Sequence, residues 1–183
     1  MNVRALLLTV SAAALVALSG PACGKKGADK GAESSGKALK SKDGRFEVTV
    51  PPAWHPQPGI SPEANIEAEG PEGFVVVITQ AKAELADSNL SRYAASRAEV
   101  IAKKVEHGKA GPQLETTVAG HRAIQIELSG ATKGYEVMYV LTVVETASHL
   151  HQVLAWTTKT KFPKSQAPLA AITATFGETT PGL

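Results

Sequence analysis

"GYEVMYVLTVVETASHLHQVLAWTT", residues 134–158, is the stretch that decides the fold. Its first half predicts one long strand, apolar on both sides. Tyr135, Val137, Tyr139, Leu141 and Val143 share one face, and Met138, Val140 and Val144 fall on the other. "TASH" turns the chain. "LHQVLAWTT" then predicts a second strand, with Leu150, Leu154 and Trp156 on one face. A parallel return needs a crossover of a dozen residues or more, so strands joined by so short a turn run antiparallel. A strand that is apolar on both sides needs cover above and below it.

The neighbouring segments supply more strands and that cover. "LETTV", "AGH" and "RAIQIEL" predict a hairpin with Gly120 in its turn, and Ile124, Ile126 and Leu128 point one way. "FVVVITQ" is rich in β-branched residues, and "NIEAE" precedes it across the turn "GPEG". In "RFEVTV", Phe46, Val48 and Val50 alternate with Glu47 and Thr49, the pattern of a half-buried strand. "PPAW" ends it, because proline cannot donate to a ladder.

Two segments change period. In "DSNLSRYAASRAEVIAKKVEHG", residues 87–108, Leu90, Ala94, Ile101 and Val105 form one helical stripe flanked by Tyr93 and Ala98. Ser88 or Asn89 is placed to cap this helix and Gly108 to end it. "KSQAPLAAITATF", residues 164–176, predicts a closing helix with Leu169, Ile172 and Phe176 buried and Pro168 in its first turn. The expected fold is α+β, an antiparallel β-sheet flanked by helices on both faces.

Residues 46–54, "FEVTVPPAW", carry the pattern F-x-[VI]-x-x-P-x-x-W and resemble the opening of PsbP-like and Mog1-like domains. "TVAGHRAIQIEL" is similar to that group's middle hairpin, and "AAITATF" to its closing helix. The resemblance covers about residues 45–178. It implies an antiparallel sheet sandwiched by helices. It implies no reaction, since members are mostly accessory or binding proteins with different partners.

The N-terminus reads as an address. Arg4 precedes an apolar run from Ala5 to Leu18, the layout of a secretory signal over residues 1–22. The run is too short for a spanning helix and ends in Gly-Pro. Cys23, the single cysteine, follows Ala22. This arrangement resembles a bacterial lipoprotein signal, which implies a diacylglyceryl thioether on Cys23, cleavage before it and acylation of the new amino group. Gly20 and Pro21 depart from the usual signal, and ordinary cleavage after Ala22 is the rival. Gly24 after the cysteine resembles outer-membrane sorting toward the periplasm, rather than inner-membrane retention. Residues 23–44 read as the lipid-anchored, flexible tether: they hold Leu39 as their one large apolar residue and six lysines against three acids. Residues 45–183, with 12 basic and 14 acidic residues, form the expected domain. A net charge of +2 does not suggest a nucleic-acid partner.

No sequence fingerprint of a nucleotide loop, zinc protease or serine hydrolase occurs. His149 and His151, two apart on a strand, share a face and suit chelation, but the local sequence offers no third ligand. They are expected at a turn and on a solvated or edge face. The reading assigns no catalytic residue, no metal and no cofactor. Trp156 has the parity of Leu150 and Leu154 and is expected in the core. The proline-rich loop Pro51–Ala64 displays Trp54, His55, Gln57 and Ile60 among few charges and is the candidate binding surface. The alternative for the loop is a rigid cover over a sheet edge, with only Trp54 tucked in. The expected function is that of a non-catalytic cell-envelope lipoprotein, binding or assisting an unidentified envelope protein. The other reading is a metal-binding protein or enzyme built on His149 and His151.

Overall fold

The computed structural model describes residues 36–85 and 89–179. In chain order the elements are β1 (Lys37–Lys40), β2 (Phe46–Val50), β3 (His55–Pro56), β4 (Ile66–Gly70), β5 (Gly73–Ala81), α1 (Leu90–Lys103), β6 (Glu106–Ala110), β7 (Leu114–Val118), β8 (His121–Thr132), β9 (Tyr135–Glu145), β10 (His149–Thr158), α2 (Phe162–Ala174) and β11 (Gly177–Glu178). Two sheets result. One is ordered β1-β2-β11. The other is ordered β3-β4-β5-β10-β9-β8-β6, with β7 also pairing with β8. Every ladder is antiparallel.

The opening stretch folds as its pattern dictates. β9 and β10 pair from Leu150↔Glu145 to Thr158↔Val137. Leu141 sits opposite both Leu154 on β10 and Ile126 on β8, so one register row carries three apolar side chains. The turn between β7 and β8 holds Ala119 and Gly120 at φ 48° and 80°. Two central residues with positive φ make the turn type that matches strand twist, and glycine supplies one at no steric cost.

Alternation along the strands sorts side chains onto two faces. On one face Val75, Val77, Val153 and Ala155 lie beneath Phe46, Val48 and Val50 of β2 and beneath Leu169, Ile172 and Phe176 at and after α2. On the other, Ile124, Ile126, Leu128, Leu141, Val143 and Leu150 pack under Leu90, Tyr93, Ala94 and Ala98 of α1. The two helices therefore cover opposite faces, as expected. Asn89 caps α1 by accepting from the Arg92 N–H at 2.9 Å.

Four local expectations change. The tether does not run unstructured to residue 44: β1 pairs with β2 along its length, and Leu39 is buried. A lone leucine gave too little pattern, but four ladder positions and an apolar partner sheet are enough to order it. Helix α1 ends at Lys103, and Gly108 lies in the unforeseen strand β6, where a side chain would collide with the Ala102 carbonyl. Pro168 falls inside α2 rather than in its first turn, which Pro163 occupies instead. Tyr135, placed on an apolar face by alternation, is 68% exposed because β9 begins there beyond any cover.

Candidate functional site

Cover is incomplete on the α1 face. Over β5 and β10 the helix stands aside, and a groove of about 330 Å³ opens. Its floor is Val76, Ile78, Leu154, Trp156 and Tyr139. Val100 and Ile101 of α1, with Lys104 just past its end, form one wall, and Ile60 to Glu63 form the other. Such a size and apolar lining, with a few converging polar groups, are those of ordinary ligand sites. Trp156 stacks on Phe74 with ring centres 5.2 Å apart and lies 6.0 Å from Tyr139. Ile101 and Val105, expected in the helix stripe, are half-buried, and Val105 follows the helix. Both line the groove. Trp156, expected in the core, is half-buried in the floor, because the helix that would seal it is too short to reach.

A chain of hydrogen bonds crosses the groove's inner end. Arg97 Nε donates to Gln152 Oε1 at 2.9 Å, Gln152 Nε2 to the Tyr93 hydroxyl at 2.7 Å, and that hydroxyl to Gln80 Oε1 at 2.9 Å. Burial raises the pKa of the Tyr93 hydroxyl, so it stays protonated. Arg97 also lies 3.8 Å from Glu63 on the opposite wall. That wall is itself fixed. The Glu67 carboxylate accepts from the Gly59 N–H at 3.0 Å and the Ser61 N–H at 2.6 Å, pinning the loop.

The four candidate loop residues part company. Trp54 is buried in the core at 2% exposure and donates from Nε1 to Glu72 at 2.7 Å, with its ring against Gly70. His55 is exposed and lies 3.1 Å from Glu69. Gln57 is half-buried, its N–H bonded to the Glu67 carbonyl. Ile60 alone of the four lines the groove. Arg97, Gln152 and Glu67 were missed. Gln152 could have been found, since it is the polar member of the row Leu150, Gln152, Leu154, Trp156. Cys23 lies outside the described residues.

A second cluster lies on the opposite face. His151, expected near solvent, is fully buried. It shares the parity of Val153 and Ala155, and the rings of Phe46 and Phe176 lie 4.6 and 4.8 Å from its own. Its Nδ1 is 3.0 Å from Thr79 Oγ1, and its Nε2 is 3.2 Å from Thr146 Oγ1. Burial holds its pKa down at about 4, with the Glu178 carboxylate pulling weakly the other way. His149, half-buried, stands beside it with ring centres 5.7 Å apart. Glu178 of β11 brings a carboxylate oxygen within 4.8 Å of a ring nitrogen of each histidine, a neighbour that no local sequence could show.

No family model and no curated protein matches this chain. Solved structures do. Cyanobacterial PsbP (CyanoP) from Synechocystis sp. PCC 6803 overlays with a TM-score of 0.58 at 12% identity, covering 87% of this chain and 98% of that one. LpqN of Mycobacterium tuberculosis, involved in cell envelope biogenesis, overlays at 0.53 and 13% identity, covering 79% and 90%. The Saccharomyces cerevisiae Ran-binding protein Mog1p gives 0.49 at 13% identity, covering 78% and 94%. The first two establish the fold. The chain shares the antiparallel α+β fold of those two structures.

Proposed function

We propose that this is an exported, lipid-anchored binding or accessory protein of the cell envelope that carries out no chemistry of its own. The groove beside α1 carries this reading. It offers a preformed apolar floor, a pinned wall and a polar chain, which suit recognition. The signal-like leader and Cys23 supply the anchor. Two or more acyl chains hold firmly where one is marginal, and Gly24 directs the protein to the outer membrane, facing the periplasm. The partner is an envelope protein or a ligand it presents. A fold shared with LpqN, an envelope-biogenesis protein, is in keeping with that setting.

Two measurements test it. Mass spectrometry of the mature N-terminus should find acylated Cys23, and Cys23→Ser should accumulate precursor or soluble protein. A photo-crosslinking residue at Ile60 or Ile101 should give envelope adducts that one at the exposed Lys164 does not. Equal adducts from all three positions overturn the groove as the site.

A further inference from the structure

His149 and His151 are two apart on β10, so their rings leave the same face of the strand. At that edge the β1-β2-β11 sheet packs over the larger one, and β11 brings in Glu178. One ligand-competent atom from each side chain lies within 4.8 Å of the other two.

The state of the His151 ring gives the cluster its meaning. A neutral imidazole has one N–H and one lone pair. In the tautomer that donates Nδ1–H to Thr79 Oγ1 at 3.0 Å, Nε2 carries the lone pair, 3.7 Å from Glu178 Oε1 and 3.2 Å from Thr146 Oγ1, whose hydroxyl turns aside when Nε2 takes a metal. A lone pair and a carboxylate facing each other at the edge of a buried site are complementary to a cation between them. The Thr79 contact then serves as the outer hydrogen bond that orients a metal-bound imidazole. Ser148 Oγ lies 2.8 Å from Nδ1 of His149, which assigns ligation there to Nε2. Glu178 is 38% exposed and His149 half-buried, so an ion has a way in.

We propose that His149, His151 and Glu178 form a site for a divalent transition metal, best fitted by Zn2+, that fastens β11 to β10. Two imidazoles and one carboxylate suit zinc, whereas calcium and magnesium prefer all-oxygen shells. Zinc bonds of about 2.0–2.2 Å put ligand atoms roughly 3.3 Å apart. The His151–Glu178 pair is already near that spacing. The wider gaps close by rotating His149 and Glu178, the two members that are not sealed in. Water completes the shell. The site sits on the face opposite the groove and is independent of what the groove binds.

The test uses the full-length, tag-free protein in detergent, stripped with chelator and titrated with zinc chloride alone. Calorimetry should show one zinc per chain, and zinc should raise the melting temperature, as binding to the folded state alone requires. Magnesium should do neither. His149→Ala and Glu178→Gln alter accessible side chains, and each should melt cooperatively without zinc. Each should lose at least about tenfold in zinc affinity, together with the thermal shift. His55→Ala, at a distant histidine, should keep both. Absence of saturable zinc binding, or parental affinity in either ligand variant, overturns the site.

Discussion

On one face of the larger sheet Val75, Val77 and Val153 have no exposure at all. On the other, Ile78, Leu154, Trp156 and Tyr139 stay half-buried although they are larger side chains. Apart from Tyr139 of β9, the same strands, β5 and β10, supply both sets by simple alternation. Hydrophobicity therefore does not separate the faces. What separates them is cover. The first face has β2 and α2 across it, while the second has a single 14-residue helix, set over β6, β8 and β9. A sealed face and an open groove thus follow from one sheet with unequal numbers of covering elements.

If that is the cause, damage should track cover. The largest effect belongs to Phe46→Ala, which removes a 2%-exposed ring from between the two sheets. Filled aromatic sites of this kind lose ~3–5 kcal/mol on truncation. Urea denaturation should show the midpoint collapse with little change in slope. A loss below ~1.5 kcal/mol would mean the face is not sealed.

A more direct contrast lies within one strand. Leu150 and Leu154 are the same residue, on the same face of β10, yet Leu150 is sealed within the cluster under α1 while Leu154, packed at its margin, is only half-buried. Leu150→Ala should cost ~3 kcal/mol and Leu154→Ala ~1 kcal/mol. Equal losses would show that the groove floor is packed in solution and that cover is not the variable.

Strands β2, β4, β5 and β7 to β10 and both helices were readable because periodicity is a local property. Phe46, Val48 and Val50 alternate and are all buried. What was not readable depends on partners distant in sequence. Leu39 is alone in a polar segment, and only β2 gives it somewhere to go. His151 looked like a turn residue, and the Phe46 and Phe176 that enclose it lie far off along the chain. The groove is the clearest case. Leu154 and Trp156 carry a core pattern, and no sequence pattern states that α1 stops short of them. The proline-rich loop was readable as ordered, but not which of its residues face the groove.

β1 tests where the sealed face begins. A chain starting at Lys42 loses Leu39 and four ladder positions, against which stands only a little recovered chain entropy. It should lose ~1.5 kcal/mol, or about 5 °C in melting temperature. No loss would return residues 36–41 to the tether.

The smallest global effect should come from the groove wall, and it should be local. Glu67 accepts from the N–H groups of Gly59 and Ser61, and these bonds hold Ile60 over the groove. Hydrogen bonds to a charged acceptor are worth more than neutral ones, but here both donors lie near solvent and can turn to water. Glu67→Ala should therefore cost only ~0.5–1 kcal/mol of global stability. Its mark should appear in amide exchange. Gly59 and Ser61 should exchange at least about tenfold faster, since their opening no longer breaks the carboxylate contacts. Val76 and Val77, in the ladder beneath, should stay as slow as in the parent. If the loop amides keep their protection, the wall is held by its prolines and not by Glu67. If the ladder amides speed up as well, the loop is part of the core, and the open face is less open than its exposed side chains suggest.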